Sequence, residues 1–208
     1  RPVLAGHSIA GEELSSIGSR FPAKVAGLIY LDAAFPYAFY DQERGNLAID
    51  APTVQKQLDQ LRPGAVNGGV QSKLIKELLE TTLPQLQKAL KEQQKDLDSR
   101  PAALGPALPP GPSRSILEGQ QKYTEIRVPI LAIFALPHAP LDSLKGFSQV
   151  VAKMEARDIE STGAQAKAFE AAMPSAKVVR LPHADHYVFR SNTDEVLREM
   201  NAFLSGLH

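Results

Sequence analysis

The stretch Pro2-Val3-Leu4-Ala5-Gly6-His7-Ser8-Ile9-Ala10-Gly11 decides the fold. An apolar run delivers a serine onto a sharp turn, and a serine held at a strand-to-helix turn needs small residues two places before and two places after it. Gly6 and Ala10 stand at those places. An ordinary helix-cap serine also precedes a helix, but a cap does not require small neighbours on both sides. The pattern is that of a nucleophile elbow of the G-x-S-x-[GA] type. Only Arg1 to Ala5 precede it, whereas such a sheet needs several earlier strands. A missing N-terminal segment or a companion chain is therefore expected to complete the sheet and cover the apolar edge of the first strand.

Working outward, Ala10 to Arg20 predicts a helix with Glu12 and Glu13 in its first turn, where carboxylates suit the helix dipole. Phe21-Pro22 ends it. Val25 to Leu31 is nearly all apolar, as in a parallel strand buried on both faces, and stops at Asp32. Residues 1–35 thus form one stretch of core. Over 36–127 strand signals vanish and leucines recur at helical spacing (Leu74, Leu78, Leu79, Leu83, Leu86, Leu90), interrupted by Pro84, which predicts a helical insertion. The proline-rich Arg100–Arg114 reads as an extended connection, and Ser115–Ile126 as one more short helix. The core resumes over 128–208. A strand is expected at Val128–Phe134, a long helix within Leu144–Met173, a strand at Ala176–Leu181 and an amphipathic helix at Thr193–Leu207. This order defines an α/β class with a mostly parallel sheet and a helical insertion.

Across 208 residues, 23 Lys and Arg balance 23 Asp and Glu, so no charge field draws the chain to nucleic acid or an anionic membrane. No apolar run is long enough to span a bilayer. The absence of cysteine removes disulfide, thiolate-nucleophile and Cys-ligated metal chemistry but does not indicate a compartment.

The segments Gly6–Ala10, Leu28–Ala33 and Leu181–Phe189 together resemble the α/β-hydrolase superfamily, in its capped serine-hydrolase form, over nearly the whole chain. The resemblance implies a triad in the order serine, acid, histidine. Ser8 is the expected nucleophile. For the base, His186 fits the family's strand, turn and histidine better than His183, which comes almost directly off the strand. A His183, Asp185 and His186 metal site is a third reading, but it lacks further ligands at suitable spacing, so no metal is assigned. The usual acid position, in the loop Phe134–Pro140, holds no carboxylate before Asp142. Some family members, a group of haloalkane dehalogenases among them, place the acid one strand earlier, where this chain has Asp32. Asp32 is favoured and Asp142 is the alternative.

The resemblance also implies an oxyanion hole with one donor from the backbone N–H of Ile9 and a second from a loop not present in this sequence. The insertion would serve as a lid, with Phe35, Tyr37 and Tyr40 as its pocket residues. His7 is expected to pack, hydrogen-bond locally or touch substrate rather than catalyse, and His138 to orient substrate from the rim. These features predict a cofactor-independent hydrolase of a small or medium apolar carboxylic ester. Lactone, amide and carbon-carbon bond hydrolysis, or a non-catalytic ligand-binding or receptor role, stand as alternatives, because fold does not decide substrate.

Overall fold

The computed structural model describes residues 1–99, 115, 119–140 and 146–207. Two compact units emerge, Arg1–Phe39 with Ala107–His208, and Tyr40–Pro106.

The first unit is built on four parallel strands, β1 (Val3–His7), β2 (Gly27–Leu31), β3 (Ile130–Ala135) and β4 (Ala176–Leu181), lying side by side in sequence order. Parallel neighbours require crossover connections. These are supplied by α1 (Ala10–Arg20) between β1 and β2, by the second unit between β2 and β3, and by the long helix Ser148–Ala172 between β3 and β4. The chain ends with the short helix Val188–Ser191 and the amphipathic helix Thr193–Ser205.

Alternation along β3 shows how the sheet is filled. Ile130, Ala132 and Phe134 join one core with Leu14, Leu28, Tyr30, Ala166 and Phe169, whereas Leu131, Ile133 and Ala135 join another with Ile29, Leu181, Val188 and Val196. All six β3 residues are buried, as expected for a strand covered by helices on both faces. Burying each large apolar side chain stabilises the fold by about 1.5–3 kcal/mol.

The helix expected at Ala10–Arg20 and the strand expected at Ala176–Leu181 have those bounds in the structure. β2 and β3 each begin two residues later than the apolar runs suggest. Pro129 has no N–H for the ladder, although its carbonyl still accepts from Leu28 at 3.0 Å. Of the helix expected at Ser115–Ile126, Ser115 is helical and residues 119–126 are not, 116–118 lying outside the described residues. Tertiary anchors hold that segment instead: the Tyr123 hydroxyl donates to Glu12 at 2.6 Å, and Ile126 is buried in the core. The proline-rich segment lies outside the described residues.

The second unit contains α2 (Leu47–Gln60), α3 (Gly68–Glu77) and α4 (Leu83–Ser99). The break expected at Pro84 falls earlier, in the π-helical turn Leu78–Thr82, and Pro84 itself sits in the first turn of α4, where a missing N–H costs least. With α2–α4 numbered, Ser148–Ala172 is α5, Val188–Ser191 is α6 and Thr193–Ser205 is α7.

Candidate active site

Every site residue comes off the carboxyl end of a strand, where open α/β sheets present their functional groups. Ser8 follows β1, Asp32 follows β2, His138 follows β3 and His186 follows β4.

The serine turn is as tight as its sequence implies. Ser8 has φ +53°, in the left-handed region that side chains with a Cβ disfavour. A Cβ on Gly6 would lie 3.0 Å from both the Ala10 Cβ and the Leu14 Cδ1. A Cβ on Gly11 would lie 1.9 Å from the Ala33 carbonyl oxygen, so only glycine lets α1 approach the chain just past Asp32 this closely. Ile9 occupies the N-cap of α1, which places its amide directly after the serine at a helix N-terminus.

The structure brings Ser8, His186 and Asp32 into one hydrogen-bonded row. His186 Nε2 lies 3.0 Å from Ser8 Oγ, and His186 Nδ1 lies 2.6 Å from Asp32 Oδ2. Because the carboxylate can only accept, Nδ1 carries the proton and Nε2 is left to accept from the serine hydroxyl. Asp32 is fully buried and also has a left-handed backbone, φ +46°. Its N–H donates to the Ile133 carbonyl at 2.7 Å, and its Oδ1 accepts from the Ala135 N–H at 3.0 Å. Burial raises the Asp32 pKa, but hydrogen bonds from His138, His186 and the Ala135 amide outweigh it and hold the carboxyl below its usual value.

His138, expected to orient substrate from the rim, is held between two carboxylates. Both of its ring nitrogens face carboxylates, Nε2 to Asp32 Oδ2 at 2.8 Å and Nδ1 to Asp158 Oδ2 at 2.9 Å. Burial lowers the His138 pKa, but bonds to Asp158 and Asp32 outweigh that and raise it to about 10. Asp158, on α5, was not marked by any sequence motif. It accepts the His138 N–H at 2.7 Å and the Thr162 hydroxyl at 2.6 Å. Burial raises its pKa, and the His138 and Thr162 bonds bring it below the ordinary value.

His7 turns away from the serine and fixes the base loop, its Nε2 donating to the His186 carbonyl at 2.9 Å while its ring stacks on Tyr187 at 4.8 Å. Phe35 lies 6.3 Å from the His138 ring and 6.4 Å from the His186 ring, centroid to centroid. Burial pushes the Tyr37 phenol above its usual value, with the Ser8 side chain pulling the other way. Tyr40 lies in the second unit, where it is buried and donates to Asp50 Oδ1 at 2.7 Å. His183 is exposed, its N–H bound to the Pro137 carbonyl at 2.7 Å. Asp142 lies outside the described residues.

Among the described residues, the ligand-type atoms close enough to hold a cation belong to Asp32, His138 and His186, within 4.8 Å of one another. The residues fit hydrogen bonding better than metal ligation. Two imidazole nitrogens point at one carboxylate oxygen at hydrogen-bond distance, and an imidazolium at His138 has no lone pair for a metal.

The profile of the "Alpha/beta hydrolase family" matches residues 1–199, and the chain belongs to this family of hydrolases. No curated protein matches. Solved structures similar to it include Rv0554 from Mycobacterium tuberculosis, 14% identical over 99% of this chain and 66% of that one, with a TM-score of 0.46. A thermophilic esterase from Thermogutta terrifontis is 14% identical over 99% of this chain and 65% of that one, with a TM-score of 0.45. A deformylase from Pseudomonas putida S16 is 9% identical over 95% of this chain and 65% of that one, with a TM-score of 0.40. The chain thus spans about two thirds of the length of each.

Proposed function

We propose that this chain carries the triad of a serine hydrolase that cleaves small or medium apolar carboxylic esters through an acyl-enzyme. The observation carrying this reading is the row Ser8 Oγ, His186 Nε2, His186 Nδ1, Asp32 Oδ2, with spacings of 3.0 and 2.6 Å, on a serine whose backbone has φ +53°.

Ser8 Oγ attacks the ester carbonyl while its proton passes to His186 Nε2. Asp32 holds the Nδ1–H tautomer and stabilises the imidazolium that forms. The oxyanion of the tetrahedral intermediate is bound by the Ile9 N–H. The imidazolium then protonates the departing alkoxide, leaving Ser8 acylated. Water, deprotonated by His186, attacks the acyl carbon and releases the carboxylic acid and free serine. Phe35 and Tyr37 give the surroundings of the serine an aromatic surface, which suits an apolar acyl or alcohol group.

A fluorophosphonate probe followed by peptide mapping tests the proposal. The expected adduct is on Ser8, with turnover of p-nitrophenyl acetate and butyrate lost in Ser8→Ala. Absence of label on Ser8, or undiminished turnover by Ser8→Ala, overturns it.

A further inference from the structure

His138 stands in the loop after β3, and both of its ring nitrogens are bound to carboxylates. Asp158 Oδ2 accepts both the His138 backbone N–H, at 2.7 Å, and Nδ1, at 2.9 Å, while Oδ1 accepts the Thr162 hydroxyl at 2.6 Å. The same Asp32 oxygen that orients His186 accepts from His138 Nε2. Ionised carboxylates only accept, so an imidazole donating to two of them carries two N–H groups and a positive charge.

We propose that His138, fixed as an imidazolium by Asp158, is a positioning residue: it locks the Asp32 carboxylate in the place from which that carboxylate orients His186, and partly compensates its charge. This rests on the reading of Ser8, His186 and Asp32 as a catalytic triad.

The groups facing this pair come from each strand end. Asp32 follows β2 and Asp158 comes from α5, while the His138 and His186 rings lie 6.2 Å apart, centroid to centroid. His186 is further faced by Ser8, by His7 at 4.6 Å from the end of β1, and by Tyr187 at 5.6 Å, with Tyr37 reaching the serine side chain.

The experiment measures kcat and KM on p-nitrophenyl acetate for wild type, His138→Ala, His138→Gln, Asp158→Asn and Ser8→Ala. Alanine leaves Asp32 without its His138 donor, whereas glutamine can still donate to it. The expected result is a loss of kcat with little change in KM in His138→Ala, partly restored in His138→Gln, and a smaller loss in Asp158→Asn, which frees one side of the His138 ring. Wild-type kcat in both His138 variants, or a loss that His138→Gln does not relieve, overturns the inference. If His138→Ala does not fold, Asp158→Asn decides, and wild-type kcat there overturns it. Persisting turnover in Ser8→Ala refutes the triad itself, whereas an inactive Ser8→Ala with wild-type kcat in the His138 variants refutes the role of His138 alone.

Discussion

Replacing Gly11 with alanine sets two physical effects against each other. Gly11 is the second residue of α1, and glycine in a helix is about 1 kcal/mol less favourable than alanine, so propensity alone predicts that Gly11→Ala stabilises. Packing predicts the reverse. The new Cβ would sit 1.9 Å from the Ala33 carbonyl oxygen, 2.9 Å from the Ala33 carbonyl carbon and 3.1 Å from the Ala38 Cβ. Ordinary contact needs roughly 3.4 Å or more, so the backbone must part by more than 1 Å, and a main-chain carbonyl cannot swing aside as a flexible side chain can. Overpacking of this kind costs about 1–3 kcal/mol, and more where backbone must move. The expected net loss is about 2–4 kcal/mol, read as a lower urea midpoint at unchanged slope. Gly68→Ala, in the first turn of α3 with no atom within 4 Å of its would-be Cβ, is the control and should stabilise by about 0.5–1 kcal/mol. Since Ala33 adjoins Asp32, Gly11→Ala should also lower kcat. A variant as stable as wild type would refute the claim that α1 is docked this closely on the residue after Asp32.

Two further outcomes follow from the carboxylates. Asp32→Asn replaces an oxygen that accepts from two imidazoles with an amide, so kcat should fall by about 10³- to 10⁴-fold with a smaller change in KM, measured by ester turnover. Stability should also depend on pH through His138. Its folded pKa of about 10 lies above its ordinary 6.5, so its contribution is complete below pH 6.5 and fades as pH rises through about 10. The lowered pKa of Asp158 makes that residue's contribution complete above about 3.8, lost as pH falls through the folded value. The stability gap between wild type and His138→Gln in urea titrations should therefore narrow from pH 6 to pH 10, and a constant gap would contradict the charged pair.

The sequence made most of the framework legible because the signals there are local. Ala10–Arg20 has acidic residues at its start and a Phe-Pro stop, and the β2 and β3 runs are apolar throughout because both faces are covered. Ser8 stands out by its small neighbours Gly6 and Ala10, whereas Asp32 and His186 are marked by the resemblance to the family, with Asp142 as the alternative acid. The role of His138 could not be read from the sequence, because its partner Asp158 lies on a helix that also carries Glu155 and Glu160, and nothing local distinguishes the one carboxylate turned toward the β3 loop. Tyr40 shows the converse: an aromatic in a plausible pocket segment is held by Asp50, a partner chosen by the packing of the helical unit. Residues 119–126 are not helical because Tyr123 and Ile126 are fixed by contacts distant in sequence.

The pairing of Leu31 with Ile133 bears on how this chain can change over time. Asp32 is held beside the β3 end by ladder and side-chain bonds, its N–H on Ile133 and its carboxylate on the Ala135 N–H, rather than by the polypeptide that joins the two strands. Within that joining segment, 33–39 and 126–128 pack into the core beside the sheet, whereas the helical stretch from α2 to α4 makes none of the bonds that hold Asp32 and can be lengthened, shortened or exchanged without breaking them. The helical unit inside the crossover from β2 to β3 is thus the permissive place for grafting and divergence, while the strand ends and the core residues that flank the unit stay fixed.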